Sequence, residues 1–353
     1  MAHRQHIIEI EAVSKETFDD IIDVRSPSEF AEDHIPGAIN CPVLDDDQHA
    51  QIGTLYKQVS PFAAKKTGAA LVSRNIAAHL EEKFSDKEKG WRPLIYCWRG
   101  GQRSRSMQTV LKEVGWNAVL LKGGYKTYRS HVITRLEELP ARFKYVVIGG
   151  PTGSGKTILL GVMQSQGAQV LDLEGMAGHR GSVLGFDPSC PKQSQKSFDT
   201  QLVEKLSGFD PARPVFVEAE SRKIGIVHLP GILHKEMKRG ELVVLDLPVS
   251  ERVAYLSGEY VWFKEHPEKL KDRLSVLKKI RGKETIAKWF DMIDAQQWDA
   301  LVEELLSVHY DPLYNGSSHR EYTDDNARHT FPAAGINAEE FERLAGEIIG
   351  KFG

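Results

Sequence analysis

At 353 residues the chain is too long for one ordinary hydrophobic core and fits two domains. Hydrophobic residues make up 41% and charged residues 27%, the balance of an ordinary globular protein, which excludes global disorder and a fibrous repeat. A formal net charge of −3 says nothing for a polyanionic partner. The longest apolar runs, Val146-Val147-Ile148 and Ala118 to Leu121, fall far short of the roughly 18 residues of a spanning helix. The N-terminus has no basic-then-apolar leader, so a cytoplasmic protein without membrane contact is expected. Cys41, Cys97 and Cys190 are odd in number and lack a Cys-x-x-Cys pair, which argues against a disulfide framework and a cysteine zinc site.

Charge is distributed unevenly. Glu9 to Asp47 holds twelve acidic and two basic residues, whereas Arg99 to Arg135 holds eight basic and one acidic. Lys264 to Lys283 holds eight basic and three acidic residues. Such runs are either solvated helix faces or the footprint of a polyanion. Lys264, Lys271, Lys278 and Lys279 recur at about seven residues, which predicts one helix face and makes them candidate contacts for nucleic-acid phosphates.

In chain order, the first buried strand with a chemically unusual sequel is Leu94-Ile95-Tyr96, which runs into Cys97-Trp98-Arg99-Gly100-Gly101-Gln102-Arg103-Ser104. Met107, Val110, Leu111 and Val114 then carry helical spacing. Pro140 stops a helix from Lys126, and the domain boundary is expected there, giving domains 1–140 and 141–353. Tyr145 to Ile148 repeats the pattern, entering Gly149-Gly150-Pro151-Thr152-Gly153-Ser154-Gly155-Lys156-Thr157 and a helix with Ile158, Leu159, Val162 and Met163. Further strands are expected at Ala168 to Leu173, Pro214 to Ala219 and Glu241 to Leu247. Glu251 to His309 reads as wholly helical, opening a C-terminal extension over about 251–353, and the polar stretch Asn315 to Asn326 reads as a loop. Short apolar runs without alternation suit parallel strands covered on both faces, so both domains read as α/β.

Two constellations carry chemistry. Cys97 sits at a strand-to-helix turn, where backbone N–H groups favour the thiolate; Gly100 and Gly101 let the loop curl around an anion, and Arg99, Arg103 and Arg105 add positive charge. The spacing Cys97-x5-Arg103 also fits a cysteine-based phosphatase. Trp98 and Gln102 complete the candidate anion loop. In the second constellation, Gly150-x4-Gly155-Lys156-Thr157 satisfies the P-loop pattern in the strand–helix context that supports it. Gly150, Gly153, Ser154, Gly155 and Lys156 would hold phosphate oxygens, with the Thr157 hydroxyl able to hold Mg²⁺. Two apolar strands offer an acidic partner: Val243-Val244-Leu245-Asp246, which makes Asp246 the other Mg²⁺ candidate, and Val215-Phe216-Val217-Glu218-Ala219-Glu220-Ser221. His179 and Arg180, on a glycine-punctuated loop, and Glu218, Ser221 and Arg222 are candidate substrate contacts. A P-loop kinase or ATPase with a regulatory first domain, a phosphatase and a nucleic-acid-binding module all remain open on these residues.

Asp23-Val-Arg-Ser-Pro-Ser-Glu-Phe-Ala-Glu-Asp-His-Ile-Pro-Gly-Ala38 closely resembles the N-terminal signature of the rhodanese sulfurtransferases. That resemblance implies a doubly wound domain, a cysteine that carries a chalcogen, and scaffold roles for Asp23 and Arg25. The cysteine loop looks longer than the family's usual six residues, which allows a larger ligand than thiosulfate. With the P-loop, Leu171-Asp-Leu-Glu-Gly-Met-Ala-Gly-His-Arg-Gly-Ser182, Phe216-Val-Glu-Ala-Glu-Ser-Arg-Lys-Ile-Gly225 and His309-Tyr-Asp-Pro-Leu-Tyr314, the chain resembles the tRNA 2-selenouridine synthase family from about Asp23 to Tyr314. The resemblance implies a rhodanese-like domain followed by a P-loop NTPase-like α/β domain with a helical C-terminal region. It also implies a transferase acting on wobble 2-thiouridine of tRNA. Its cosubstrates would be geranyl diphosphate and selenophosphate, without a tightly bound cofactor, and the selenophosphate-producing enzyme would be a possible partner. The P-loop would then hold a leaving diphosphate, and Cys97 would bind or relay selenium.

Overall fold

A computed structural model describes residues 7–13, 16–179, 193–259, 261–314 and 328–353. Arg180, Cys190 and the expected loop from Asn315 to Asn326 lie outside them. The chain divides into two compact units, Met1–Arg135 with Lys196–Glu204, and Leu136–Gln195 with Lys205–Gly353. Residues 196–204, well beyond the expected boundary near residue 140, therefore pack with the first unit.

The first unit is built on a parallel sheet of β1 (Ile7–Ile8), β2 (Ile21–Asp23), β3 (Ala38–Asn40), β4 (Leu94–Tyr96) and β5 (Val119–Leu121), in the order β1-β5-β4-β2-β3. Its helices are α1 (Ile10–Val13), α2 (Pro27–Glu32), α3 (Asp46–Gln58), α4 (Pro61–Glu82), α5 (Gln102–Val114) and α6 (Gly124–Glu138). Strands β4 and β5 are buried along their whole length, as the unbroken apolar runs require. Ile22, Ile95 and Leu120 of the sheet share one core with Ile76 of α4 and Met107 and Leu111 of α5. Of the expected apolar stripe of α5, Met107 and Leu111 are buried and Val110 packs against them, whereas Val114 is 54% exposed.

In the second unit the parallel sheet contains β6 (Tyr145–Gly149), β7 (Gln169–Leu171), β8 (Val215–Glu218), β11 (Glu241–Asp246) and β12 (Arg328–Pro332), in the order β12-β11-β6-β8-β7. A short antiparallel pair, β9 (Lys223–Ile224) and β10 (Val227–His228), stands apart from it. The helices α7 (Lys156–Ser165), α8 (Leu173–Ala177) and α10 (Gly231–Met237) fall between the strands in sequence, as does α9 (Gln195–Ser207), whose residues 196–204 belong to the first unit. Ile148, Val243 and Leu245 pack with Leu159, Leu160 and Met163 of α7 and with the last helix. Strand β12 was not expected, because Arg328-His-Thr-Phe-Pro332 has no apolar run; it forms by pairing with β11 at the sheet edge, where its terminal Pro332 is tolerated.

The region after β11 is helical in pieces: α11 (Val249–Glu259), α12 (Val261–Glu265), α13 (Pro267–Ser275), α14 (Lys278–Arg281), α15 (Lys283–Asp294) and α16 (Trp298–Leu305), then a π-helical turn (Leu306–Tyr310) and α17 (Ala338–Phe352). These pieces correct the expectation that Lys264, Lys271, Lys278 and Lys279 share one helix face. Pro267 begins α13 because it needs no N–H partner there, and the chain breaks again after Ser275, so the four lysines fall on α12, α13 and α14. Trp289, fully buried, centres the second core of this unit with Leu274, Ile286 and Leu301.

Candidate functional site

The chain turns from β4 into α5 at Cys97. Its Sγ accepts a hydrogen bond from the Gly101 N–H at 3.2 Å and lies 3.2 Å from the Ser104 hydroxyl, and the residue is only 3% exposed. The turn is locked from below: Tyr125 N–H donates to Cys97 O and Lys126 N–H to Trp98 O. Gly124 must be glycine, since a Cβ there would stand 2.2 Å from the Cys97 carbonyl oxygen and 2.6 Å from the Gly100 nitrogen. Arg99, Gln102 and Arg105 are exposed around the turn.

Arg103 is placed differently. Its guanidinium pairs with Glu29 of α2 at 2.6 Å. Burial pushes the Glu29 carboxyl up, but Arg103 and the Ser26 amide more than offset it and hold it below the ordinary range. An arginine committed to a carboxylate is not free to grip a phosphoryl group, which counts against the phosphatase reading. Beneath the turn lies a buried ionic layer. Arg25, 1% exposed, pairs with Asp23 at 2.6 Å, donates to the Asp33 carbonyl oxygen and stands 3.9 Å over the Tyr125 ring. Breaking such a pair leaves an uncompensated buried charge, a cost of about 3–5 kcal/mol.

Several residues at this turn went unnoticed in the sequence. Ser104 touches the thiol, and Tyr125 donates to the Asp33 carboxylate at 2.6 Å. Thr200 of α9 donates to the same carboxylate at 3.1 Å, Arg129 pairs with Asp199, and Lys196 stands 5.8 Å over the Trp98 ring. Nothing local in the sequence joins residues 33, 125 and 200.

The P-loop connects β6 to α7. Gly150 has φ +148°, and a Cβ on it would lie 2.5 Å from the Ser154 hydroxyl and 3.0 Å from Leu245 O, so only glycine fits. Lys156 Nζ donates to Gly150 O at 3.0 Å and reaches Pro151 O at 3.4 Å. Ser154 Oγ is buried and has no partner among the described residues. Gly153 and Gly155 both take positive φ within the loop.

Thr157 donates to the Glu174 carboxylate at 3.4 Å, not to Asp246. Glu174, just after β7, is hydrogen-bonded to Glu220, just after β8, and Lys156 acts on both. Burial and the neighbouring carboxylate push Glu220 up to about 8, and burial raises Glu174 as well. The sequence had offered Glu218 instead. Glu218 is fully buried, accepts from the Leu173 N–H at 3.0 Å, and is driven well above the carboxylate range by burial and then by Asp172; its neutral carboxyl ties β8 to α8. The carboxyl that faces Lys156 belongs to Glu220, two residues on. Asp246 ends β11, the other neighbour of β6, beside a cavity of about 250 Å³ lined by Pro151, Asp311, Tyr314, Arg328 and Thr330. Glu174 and Glu220, rather than Asp246, are thus the carboxyl groups gathered with Thr157 and Lys156. No group of three or more His, Cys, Asp or Glu able to hold a metal occurs among the described residues.

The remaining candidates are dispersed. His179 lies against the turn of β9 and β10, with its ring where a Gly225 Cβ would stand; burial and then Arg273 lower its pKa. Ser221 and Arg222 are exposed, and the Ser221 hydroxyl donates to Lys223 O at 2.7 Å. Lys264 is half-buried, Lys278 and Lys279 are exposed, and Lys271 is engaged with Asp294 at 2.6 Å.

The motif from His309 to Tyr314 acquires a physical role. Asp311 holds Arg252 of α11 through two hydrogen bonds of 2.8 and 2.7 Å, and Arg252, 3% exposed, donates to the Thr152 carbonyl oxygen in the loop. Tyr314 is hydrogen-bonded to the Gly150 backbone. His309, lowered by burial and then by Arg281, is neutral, and its Nδ1 accepts from the Arg281 Nε at 3.0 Å. This motif braces the P-loop.

Comparison with known proteins assigns a family to each of the two regions. Residues 9–131 match the rhodanese-like domain, and residues 143–331 match the AAA domain of tRNA 2-selenouridine synthase. A tRNA 2-selenouridine synthase from Nitrosomonas europaea is 38% identical over 68% of this chain and 63% of its own length. One from Sulfurovum sp. is 35% identical over 84% of this chain and 87% of its own, and one from Salmonella paratyphi A is 34% identical over 83% and 87%.

Proposed function

Because the chain belongs to the tRNA 2-selenouridine synthase family, we propose that it converts wobble 2-thiouridine of tRNA into 2-selenouridine through an S-geranyl intermediate. The observation that carries the reading is the union, in one chain, of a cysteine turn and a P-loop whose lysine stands against the loop carbonyls.

In the first step the thiocarbonyl sulfur attacks carbon 1 of geranyl diphosphate. A C–S bond forms, the C–O bond breaks, and diphosphate leaves with the electron pair, while the base gives up its N3 proton. Amides of the Gly150 to Gly155 loop and the Lys156 ammonium stabilise the developing negative charge. In the second step the selenium of selenophosphate attacks carbon 2 of the base: a C–Se bond forms, the C–S bond breaks and geranylthiolate departs with the electron pair, after which water cleaves the P–Se bond and phosphate leaves. S-alkylation is what makes that sulfur a competent leaving group. Cys97, with the Gly101 N–H directed at its sulfur, stands at the turn that would hold the selenophosphate anion, and selenium stays at the selenide level throughout.

The test is reconstitution of the purified chain with 2-thiouridine tRNA, geranyl diphosphate and selenophosphate, followed by mass spectrometry of the nucleosides. The reading requires geranylthiouridine and then selenouridine. Nucleotide hydrolysis with no change in the base would overturn it in favour of an ATPase or kinase.

A further inference from the structure

Helices α3 and α4 form a hairpin whose tip neither active loop uses. Only Val59 and Ser60 separate them; Ser60 caps α4 by accepting from the Ala63 N–H at 3.0 Å, and Pro61 opens the helix. The seam is close, since a Cβ on Gly68 would meet Ile52 at 3.7 Å. At the other end Asn75 donates to Val43 O at 3.0 Å and to Gln48 Oε1 at 2.7 Å, so the hairpin is anchored at its base.

The tip is chemically distinctive. Tyr56 is 56% exposed, Val59 68% and Phe62 76%, a cluster of large apolar groups where isolated exposed residues would need no explanation. Lys57, Lys65, Lys66 and Arg74 are exposed around it. Between Gln48 and Leu80 the chain has these four Lys/Arg residues and no Asp or Glu. Phe62, Lys66, Ala70 and Arg74 follow one another at four-residue spacing, which places them along one face of α4. None of the four cations is in an ion pair among the described residues, whereas Lys271, Arg103 and Arg129 all are.

We propose that the tip of this hairpin docks the tRNA substrate, Tyr56 and Phe62 stacking on unpaired bases while Lys57, Lys65, Lys66 and Arg74 neutralise the adjoining phosphates. The inference rests on the tRNA reading above and adds the surface that holds the RNA. Flat aromatic faces interleaved with unpaired cations, and no carboxylate, form the combination that binds single-stranded nucleic acid. A protein partner would more often find complementary charge of both signs.

The full-length chain tests this with two variants, Tyr56→Ala/Phe62→Ala and Lys57→Glu/Lys65→Glu/Lys66→Glu. All five side chains are exposed, so circular dichroism should match the unaltered protein. With a fluorescent 2-thiouridine tRNA as probe, the aromatic variant should bind at least about tenfold more weakly. The lysine variant should lose about two to three from the slope of log K against log salt. Pyrophosphate affinity should stay unchanged in both. If the unaltered protein binds tRNA and both variants match it in affinity and slope, the docking surface is wrong while the function stands. If the variants instead abolish self-association in sedimentation and leave tRNA binding intact, the tip contacts a second copy and the proposal fails. Absence of tRNA binding by the unaltered protein would overturn the functional reading and this surface with it.

Discussion

Cys97 tests most directly whether the first unit handles selenium. A serine there can take up the same contacts, accepting from the Gly101 N–H and meeting the Ser104 hydroxyl, so Cys97→Ser should fold normally. Its hydroxyl is far less acidic than the thiol and cannot present a soft anion beside the selenium. Nucleoside analysis should show selenouridine reduced to background and geranylthiouridine accumulating; undiminished selenouridine would remove Cys97 from the reaction. Glu220 supports a prediction of another kind. Its carboxyl is pushed up to about 8 in the native protein, whereas in an unfolded chain it would titrate near about 4.3. Between these values the native state holds a proton that the unfolded state has lost, so stability falls as pH rises, by at most about 1.4 kcal/mol per pH unit. Burial raises Glu174 in the same direction. Glu220→Gln removes much of this slope. Its melting temperature should decline less between pH 5 and pH 8 than that of the unaltered protein; parallel declines would show that the pair is not protonated.

At the level of elements, β4, β6 and the two turns that follow them were legible because each strand is an unbroken apolar run ending in a glycine-rich segment. What could not be read was proximity created by strand order. Glu174 and Glu220 meet because β7 and β8 are neighbours, though 46 positions separate them in the chain. The lysine run misled for the opposite reason: periodicity predicts one face only while the helix continues, and Pro267 ends it. Exposure at the α3–α4 tip was invisible because spacing shows which residues share a face, not whether anything covers it. The P-loop brace, α11, illustrates the energetic side. Removing the guanidinium in Arg252→Met strands the Thr152 carbonyl and leaves Asp311 without its partner. Asp311 is 26% exposed and can recover some hydration, so the cost should fall below the fully buried range, near about 2 kcal/mol. Calorimetry should show the second unit melting several degrees lower, and pyrophosphate should bind more weakly. Unchanged melting and binding would show that the loop holds its shape without this clamp.

For the molecule as a whole, compactness and chain order disagree at one place. Residues 196–204 pack with the first unit although the sequence around them belongs to the P-loop region. The physical reason is a polar cluster completed from α9. Asp33 is raised by burial, with Tyr125 and Thr200 donating to its carboxylate in partial compensation, and Arg129 pairs with Asp199. A fragment ending at residue 140, the boundary that the helix-stopping Pro140 suggests, keeps Asp33 and Arg129 but loses both partners from α9. An unmatched buried hydrogen-bonding group costs about 1–3 kcal/mol, and a separated ion pair adds to that. Such a fragment should therefore melt at lower denaturant than one carrying residues 194–208 joined through a flexible linker. The cluster also supplies a control for simple chain length, because Thr200→Val and Asp199→Ala in the joined segment should abolish most of the rescue. Equal midpoints for the short and extended fragments would show that the first unit is self-sufficient and that α9 merely rests against it.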